Sequence, residues 1–387
     1  MPISRFDEAA ILHDDAPAAG LAAEAPATTL RLSRTRGDFQ VPSLDGLRAI
    51  SFLIVFGAHA GLRFMPGGFG VVVFFFLSGY LITTLLRLEY AASGAVSLRD
   101  FYLRRALRIL PPFYLVLGLS ALLISVRLIP GTLHWRPMLA LAGHFTNYWA
   151  IAFGFYGQPA GTGVYWSLAV EEHFYLLFPW IFILLQRILP GRLRTQAAVL
   201  LGLCAAVLAW RSLLVFSLGA SEVRTFIGTD TRVDSILFGC ALALCENPML
   251  DRPRMPAKLL TRLLLPLGIA LLLLCFAVRA TWFRETLRYS LQGIGLAPVF
   301  IMAMLEPRWG PFRFLNLKVV KRLGVLSYSL YLVHQVVLFA VEKQFVTWHP
   351  LGRGILALAV ALVLSEAIQR FVEEPCARIR RRLAHAG

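Results

Sequence analysis

Charged residues are scarce in this sequence: they make up 16% of the 387 residues, whereas hydrophobic residues make up 58% and the mean hydropathy is +0.67. A chain of this length could form two or three soluble domains. So little charge, together with apolar runs of about twenty residues that recur along the chain, instead predicts one polytopic membrane domain built from α-helices.

Acidic residues are also few, 22 against 38 basic ones, which gives a formal net charge of +16. This balance could suggest a nucleic-acid partner. However, no long basic tract is interleaved with aromatic residues, so we expect no nucleic-acid binding. The basic residues instead occur in short clusters between the apolar runs, which is typical of cytoplasmic loops.

The five cysteines contain no CxxC pair. Four of them lie in or near apolar runs, where we expect them to be buried thiols that act as small apolar side chains. The sequence therefore predicts neither a zinc site nor a disulfide framework, and no metal cofactor.

The two ends of the chain differ from its middle. Residues 1–40 are rich in Ala, Pro and Thr with mixed charge, which predicts a disordered cytoplasmic tail. No basic segment followed by an apolar core precedes residue 44, so we expect no cleaved signal peptide. A transmembrane domain is expected at 41–376 and a short basic cytoplasmic tail at 377–387, with no further domain after it.

Apolar runs long enough, or nearly long enough, to cross a bilayer lie at 45–62, 70–88, 109–129, 137–154, 168–186, 197–217, 233–247, 260–280, 289–305, 323–345 and 352–372. The basic cluster after the second run places that loop, and hence the N-terminus, in the cytoplasm. If the run at 137–154 does not cross, the later basic clusters become cytoplasmic too. We therefore predict about ten crossings, with both termini cytoplasmic and a re-entrant or outer-face segment at 137–165. Eleven crossings are the alternative, because the charge rule is statistical.

Two ionisable residues, Arg48 and His59, lie in the first apolar run. Eleven residues of helix rise about 16 Å and make about three turns, so both side chains project from one face at different depths. Ionisable residues within a span usually face the bundle interior and mark a functional site. The alternatives are that Arg48 extends to the interface and that His59 is a satisfied interior histidine.

Six blocks then stand in a recognisable order: LDGLRAISFLIVFGAH at 44–59, GVVVFFFLSGYLI at 70–82, FYLRRALRILPPFY at 101–114, YWSLAVEEHFYLLFP at 165–179, TRVDSILFGC at 231–240 and LSYSLYLVHQ at 326–335. EEP follows at 373–375. In these blocks the chain resembles the membrane acyltransferase 3 family, of the O-antigen and exopolysaccharide O-acetylase type. The resemblance covers about residues 43–376. Two positions depart from the family pattern, Val72 and His173.

The resemblance implies an O-acyltransferase in a bacterial plasma (inner) membrane. Such an enzyme would move an acyl group, most simply acetyl, from cytoplasmic acyl-CoA (acetyl-CoA) to a hydroxyl of a cell-envelope polysaccharide, such as that of lipopolysaccharide, or of a glycolipid. Arg48 and His59 match the family's Arg–x10–His unit and are expected to be catalytic. Neutral imidazole suits the base role, so His59 is our candidate base. Direct attack by the hydroxyl and an acyl-histidine intermediate both remain open.

Three further residues are candidates for catalysis. Glu171 and Glu172 begin the run at 168–186, and we expect them at the outer level of His59, where one carboxylate would orient its imidazole. Glu171 is expected to be the buried one, and the other to be a carboxylate at the helix start. His334 is either catalytic or a satisfied histidine of the bundle.

The donor and acceptor contacts follow from the remaining blocks. Arg104, Arg105 and Arg108 would bind the phosphates of the donor, since guanidinium groups suit phosphate oxygens; the alternative is ordinary topogenic charge. Residues expected to contact the acceptor are Trp166, Ser167, Arg232, Asp234, Tyr328 and Tyr331. Arg232 and Asp234 could instead form an interface salt bridge.

Two other functions also fit a polytopic chain with buried polar residues. A transporter or flippase for a glycan or lipid would commonly show internal repeats, yet no second copy of the Arg–x10–His unit is present. A membrane scaffold or sensor would function without His59.

Overall fold

The computed structural model describes residues 43–383, and side chains for 43–380. Within that part of the chain, the regular structure is entirely helical. The helices are α1 (Leu44–His59), α2 (Gly67–Ser93), α3 (Leu98–Ser125), α4 (Trp135–Ala142), α5 (Thr146–Phe153), α6 (Trp166–Ile188), α7 (Leu193–Phe216), α8 (Glu222–Ile227), α9 (Thr229–Cys245), α10 (Ala257–Leu259), α11 (Leu265–Ala277), α12 (Thr281–Glu285), α13 (Leu287–Leu305), α14 (Phe312–Leu315), α15 (Lys318–Gln344), α16 (Pro350–Ile368) and α17 (Glu374–Leu383). A π-helical turn, Leu260–Leu264, joins α10 to α11, and another, Gln369–Glu373, joins α16 to α17.

Eight helical segments of the described chain are long and apolar enough to cross a membrane. They are Gly67–Ser93, Leu98–Ser125, Gly163–Ile188, Leu193–Phe216, Ala257–Ala277, Leu287–Leu305, Lys318–Gln344 and Pro350–Arg380. The prediction of a polytopic, all-α membrane protein is therefore confirmed. α1 and α9 have 16 and 17 residues and are slightly shorter than a full span. With them the helices correspond to the ten runs expected to cross, and the crossing of α1 and α9 stays a prediction.

The segment at 137–165 does not form a long helix. It contains α4 and α5, which have eight residues each and therefore rise about 12 Å, against a hydrocarbon core of about 30 Å. Between them, His144 has a left-handed backbone with φ 58°. This interrupted shape agrees with a re-entrant or outer-face segment. Its depth in the membrane stays a prediction.

Helix α1 lies inside the bundle because its neighbours approach it closely through glycines. A Cβ atom on Gly70 of α2 would lie 2.6 Å from the Ser51 carbonyl oxygen, and one on Gly324 of α15 would lie 1.9 Å from the Asp45 carbonyl oxygen. Small residues allow such close helix packing in membranes. Helix α1 is thereby packed closely between α2 and α15.

The predicted tail segments are described only in part. Residues 1–40 lie outside the described residues. Of the segment 377–387, residues up to Leu383 continue the helix α17, and the rest also lies outside the described residues.

Candidate active site

A pair of histidines joins α1 to α15. His59 Nδ1 and His334 Nε2 are 3.0 Å apart, and the two rings are nearly parallel with centroids 5.2 Å apart. His334 is completely buried, with Phe52 packed edge-on against its ring at 5.8 Å. His59 is exposed, so one histidine lies in protein and the other faces open space.

The hydrogen bonds of the pair determine its tautomers. His334 Nδ1 lies 2.7 Å from the carbonyl oxygen of Tyr331, which can only accept a hydrogen bond, so Nδ1 carries the proton. In neutral His334, Nε2 is then an acceptor, and His59 must donate to it from Nδ1. The remaining nitrogen of neutral His59, Nε2, therefore carries an unprotonated lone pair. The alternative of a satisfied interior histidine describes His334 but not His59.

The carboxylates lie elsewhere, and the expectation that one of them orients His59 was wrong. Glu171 Oε1 accepts a hydrogen bond of 2.6 Å from Ser78 Oγ, and Glu171 interacts electrostatically with Arg48 and Arg108. The first turn of α6 lies beside the part of α15 that carries the histidine pair, since Ser167 Oγ is 2.7 Å from the Tyr331 hydroxyl. Glu171 is four residues further along α6 than Ser167, and so it lies toward the Arg48 end of α1.

Three guanidinium groups collect at that end. Arg48 interacts electrostatically with Arg108 and with Glu171, and Arg105 interacts with Arg108 and Glu172. Arg105 also lies over the Tyr175 ring, 5.9 Å from its centroid, and its Nε is buried without a hydrogen-bond partner. Arg48, Arg105 and Arg108 form no salt bridge within residues 43–380. We call these three residues the arginine cluster.

Arg104 is not part of the arginine cluster. Its Nη2 atom forms a 2.6 Å salt bridge with Glu89 at the end of α2. Glu89 also accepts a hydrogen bond from the backbone of Ser97, which caps α3. Arg104 therefore joins α2 to α3, and its charge is paired, unlike those of Arg105 and Arg108, which form no salt bridge within residues 43–380.

The residues expected to contact the acceptor are largely engaged within the protein. The Tyr328 hydroxyl donates to the Ile109 carbonyl oxygen at 2.8 Å, and Tyr331 and Ser167 bond to each other. Trp166 is buried, with its ring centroid 4.9 Å from that of Phe226. Tyr331 nevertheless contacts His334, with ring centroids 5.4 Å apart.

Arg232 and Asp234 are both fully buried, and they do not form a salt bridge with each other. Asp234 pairs with Arg211 at 3.0 Å and accepts a 2.8 Å hydrogen bond from Ser290, which joins α7, α9 and α13. Arg232 lies over the ring of Tyr289, 4.0 Å from its centroid, and donates to the Phe226 carbonyl oxygen. Asp234 thus serves the interior packing of the bundle.

Comparison with known proteins identifies the family of the chain. A family model described as an acyltransferase domain matches residues 41–370. The chain belongs to the membrane acyltransferase 3 family. It is similar to Peptidoglycan O-acetyltransferase OatA of Listeria monocytogenes, at 31% identity over 87% of this chain and 55% of the relative. It is also similar to Putative peptidoglycan O-acetyltransferase YrhL of Bacillus subtilis, at 33% identity over 88% of this chain and 56% of the relative.

Membership of the acyltransferase 3 family rests on sequence, since no solved structure matches the chain significantly. The chain spans little more than half the length of these two curated relatives. The family match covers the helices that carry the histidine pair and the arginine cluster.

The structure brings one further carboxylate, just beyond the matched residues 41–370, to the arginine cluster. Glu373 lies in the π-helical turn before α17, accepts a short hydrogen bond from Ser329, and interacts electrostatically with Arg108 and Arg48. In the sequence, Glu373 is the first residue of EEP at 373–375. Ser78, which donates a hydrogen bond to Glu171, lies in the block at 70–82. Within the described residues, no group of three or more His, Cys, Asp or Glu side chains could hold a metal ion.

Proposed function

We propose that this protein transfers an acyl group, most simply acetyl, from acyl-CoA to a hydroxyl of a cell-envelope polysaccharide or glycolipid. The observation that carries the proposal is the chain of hydrogen bonds from the Tyr331 carbonyl through His334 to His59, which leaves a basic nitrogen on an exposed ring. The relatives named for peptidoglycan make peptidoglycan the first acceptor to test.

In the direct route, His59 Nε2 takes the proton of the acceptor hydroxyl while its oxygen forms a bond to the thioester carbonyl carbon. The carbon–sulfur bond then breaks, and the CoA thiolate takes the proton from the imidazolium. His334 holds the ring of His59 and its tautomer through the Nδ1 hydrogen bond.

In the alternative route, His59 Nε2 itself attacks the thioester carbonyl and displaces the CoA thiolate, which gives an acyl-histidine. The acceptor hydroxyl then attacks the acyl carbon, the imidazole of His59 leaves as the neutral base, and the hydroxyl proton is taken up by the CoA thiolate, directly or through water. This route would allow donor and acceptor to bind in turn. Mass spectrometry of the protein after incubation with acetyl-CoA alone distinguishes the routes, because only the second gives a protein that is acetylated on His59.

The arginine cluster is the proposed site for the phosphates of the donor. Arg48 and His59 are separated by about 16 Å along α1, and a long flexible pantetheine arm separates the thioester of CoA from its phosphates. Three guanidinium groups without salt bridges within residues 43–380 provide charge-assisted donors for phosphate oxygens. The donor would thus bind along the interior face of α1.

The proposal is tested with membranes that contain the protein, radiolabelled acetyl-CoA and peptidoglycan or other envelope glycans. Label that enters the glycan as an alkali-labile ester supports it. Glycan translocation without any acetyl transfer would contradict it and favour the transporter alternative.

Arg108→Gln is expected to raise the KM for acetyl-CoA about tenfold or more, with a smaller effect on turnover at saturating donor, because a charge-assisted contact made in both ground and transition states is lost. The control is Arg99→Gln, since Arg99 is exposed on the same helix. A fall in turnover with unchanged KM would contradict a phosphate-binding role.

The proposed topology has both termini in the cytoplasm of a bacterial cell and the segment at 137–165 outside. Tyr156→Cys, at a residue 79% exposed, should then react with a membrane-impermeant maleimide on intact cells. Ala92→Cys, at an exposed position near the end of α2, should react only after permeabilisation. Protein without either substitution provides the background of the native thiols. Protection of Tyr156→Cys on intact cells would favour eleven crossings.

A further inference from the structure

A cavity with polar walls lies near the His59 end of the bundle, apart from the histidine pair. Its volume is about 200 Å³, enough for roughly six water molecules at about 30 Å³ each. Its walls are formed by the start of α2, Phe226 of α8, the end of α11, and the side chains of Arg284, Arg288 and Gln292. We call this space the Arg284–Arg288 cavity.

The two arginines of this cavity have few partners among the described residues: Arg288 Nη2 donates a 3.1 Å hydrogen bond to the hydroxyl of Tyr289, which also lines the cavity. Arg284 and Arg288 form no salt bridge within residues 43–380, and Arg288 Nε is buried without a hydrogen-bond partner. Gln292 is 3% exposed, and its amide makes no hydrogen bond with any described residue. The neighbouring carboxylate, Glu285, accepts a hydrogen bond from Thr225.

Unpaired buried polar groups are costly, and a ligand that accepts their hydrogen bonds removes that cost. Guanidinium groups match the oxygen spacing of phosphate and carboxylate. The aromatic wall adds apolar surface, since Phe69 and Phe276 pack edge-to-face with ring centroids 5.1 Å apart. The cavity therefore suits an oxyanion attached to a larger, partly apolar group.

The position of the cavity connects it with the reactive end of α1. Gly67 lines it, and a Cβ on Gly67 would lie 2.8 Å from Ala58, the residue before His59. Phe226, also in its wall, packs against Trp166 at the start of α6. A ligand in the cavity would therefore lie at the His59 end of the bundle, opposite to the arginine cluster.

We propose that the Arg284–Arg288 cavity binds an oxyanion, a phosphate or carboxylate, through Arg284, Arg288 and Gln292. Two sources carry this chemistry: a charged group of the acceptor, or the headgroup of a membrane phospholipid. The first source rests on the proposed function; the presence of the site does not.

The test compares full-length protein with the double variant Arg284→Gln/Arg288→Gln and with the control Arg279→Gln, whose exposed arginine lies in the preceding loop outside the cavity. In neutral detergent, thermal midpoints are followed against inorganic phosphate and acetate. The double variant is expected to bind at least one of the two anions about tenfold or more weakly, while Arg279→Gln matches wild type. Because the loss is measured as a difference between variants, anion bound at the arginine cluster cancels.

Native mass spectrometry in detergent with phosphatidylglycerol or phosphatidylcholine distinguishes the sources. Phosphatidylglycerol retained by wild type and lost from the double variant assigns the site to a lipid headgroup. Equal lipid retention, with a raised KM for the glycan acceptor in the double variant, assigns it to the acceptor. Equal binding of phosphate, acetate and phosphatidylglycerol by wild type and double variant overturns the proposal. Failure of acetyl transfer by wild type would instead count against the proposed function and leaves the binding measurements intact.

Discussion

His59→Ala is expected to lower acyl transfer by about 10²- to 10⁴-fold, the range typical for loss of a general base, while the bundle still inserts and folds. The substitution removes the nitrogen that His334 holds as a free base, and no other imidazole is hydrogen-bonded to His334 within the described residues. Since the His59 side chain is exposed, its truncation leaves no empty space in the core. Acetyl transfer from labelled acetyl-CoA to envelope glycan measures the effect.

The matched control is His134→Ala, because His134 is also exposed and its side chain does not cap α4. It should retain wild-type activity. Activity of His59→Ala within a few fold of this control would remove His59 from the chemistry. Gel filtration of both variants in detergent measures the amount of folded protein. It thereby distinguishes a loss of activity through misfolding from a loss of the catalytic base.

His334 acts through His59, so its variants test positioning. His334→Gln keeps an acceptor for His59 and a donor for the Tyr331 carbonyl, whereas His334→Leu keeps neither. We expect transfer to fall less in the Gln variant than in the Leu variant, at similar KM for acetyl-CoA. Equal losses in both would indicate that the pair's hydrogen bond does not matter to the reaction.

The helix period was enough to predict the relation between Arg48 and His59. Eleven residues correspond to three turns, and in the structure Arg48 belongs to the arginine cluster while His59, although exposed, contacts the buried His334. Their partners could not be predicted in the same way. The depth of Glu171 in the bundle depends on where the interrupted segment at 137–165 ends and α6 begins. Helix packing determines that position, and spacing along the sequence does not.

Asp234 illustrates the same limit. Its block at 231–240 offered Arg232 as a neighbour, two residues away in sequence. The structure pairs Asp234 with Arg211, from α7, because α7 and α9 pack side by side. Spacing along the sequence therefore identified polar residues of the bundle. Their partners depend on how helices that are distant in the sequence pack together.

The crossing of α2 and α9 is expected to be highly sensitive to any added side-chain volume. A Cβ on Gly79 would lie 2.0 Å from the Ile236 carbonyl oxygen, and one on Gly239 would lie 2.0 Å from the Phe76 carbonyl oxygen. The two backbones meet reciprocally, and no flexible side chain can yield. Gly79→Ala must therefore separate the helices, at about 1–3 kcal/mol or more, as overpacked interiors do. Thermal unfolding in detergent and the yield of monodisperse protein measure the loss.

The control for this prediction is Gly202→Ala in α7, where a Cβ would meet nothing within 4 Å. That variant should be as stable as wild type, since alanine is the better helix former. Gly239→Ala should resemble Gly79→Ala. The double variant should lose less than the sum of the two, because one separation of α2 from α9 relieves both contacts and neighbouring sites are not additive. A Gly79→Ala protein as stable as Gly202→Ala would show that the two backbones do not meet at this crossing.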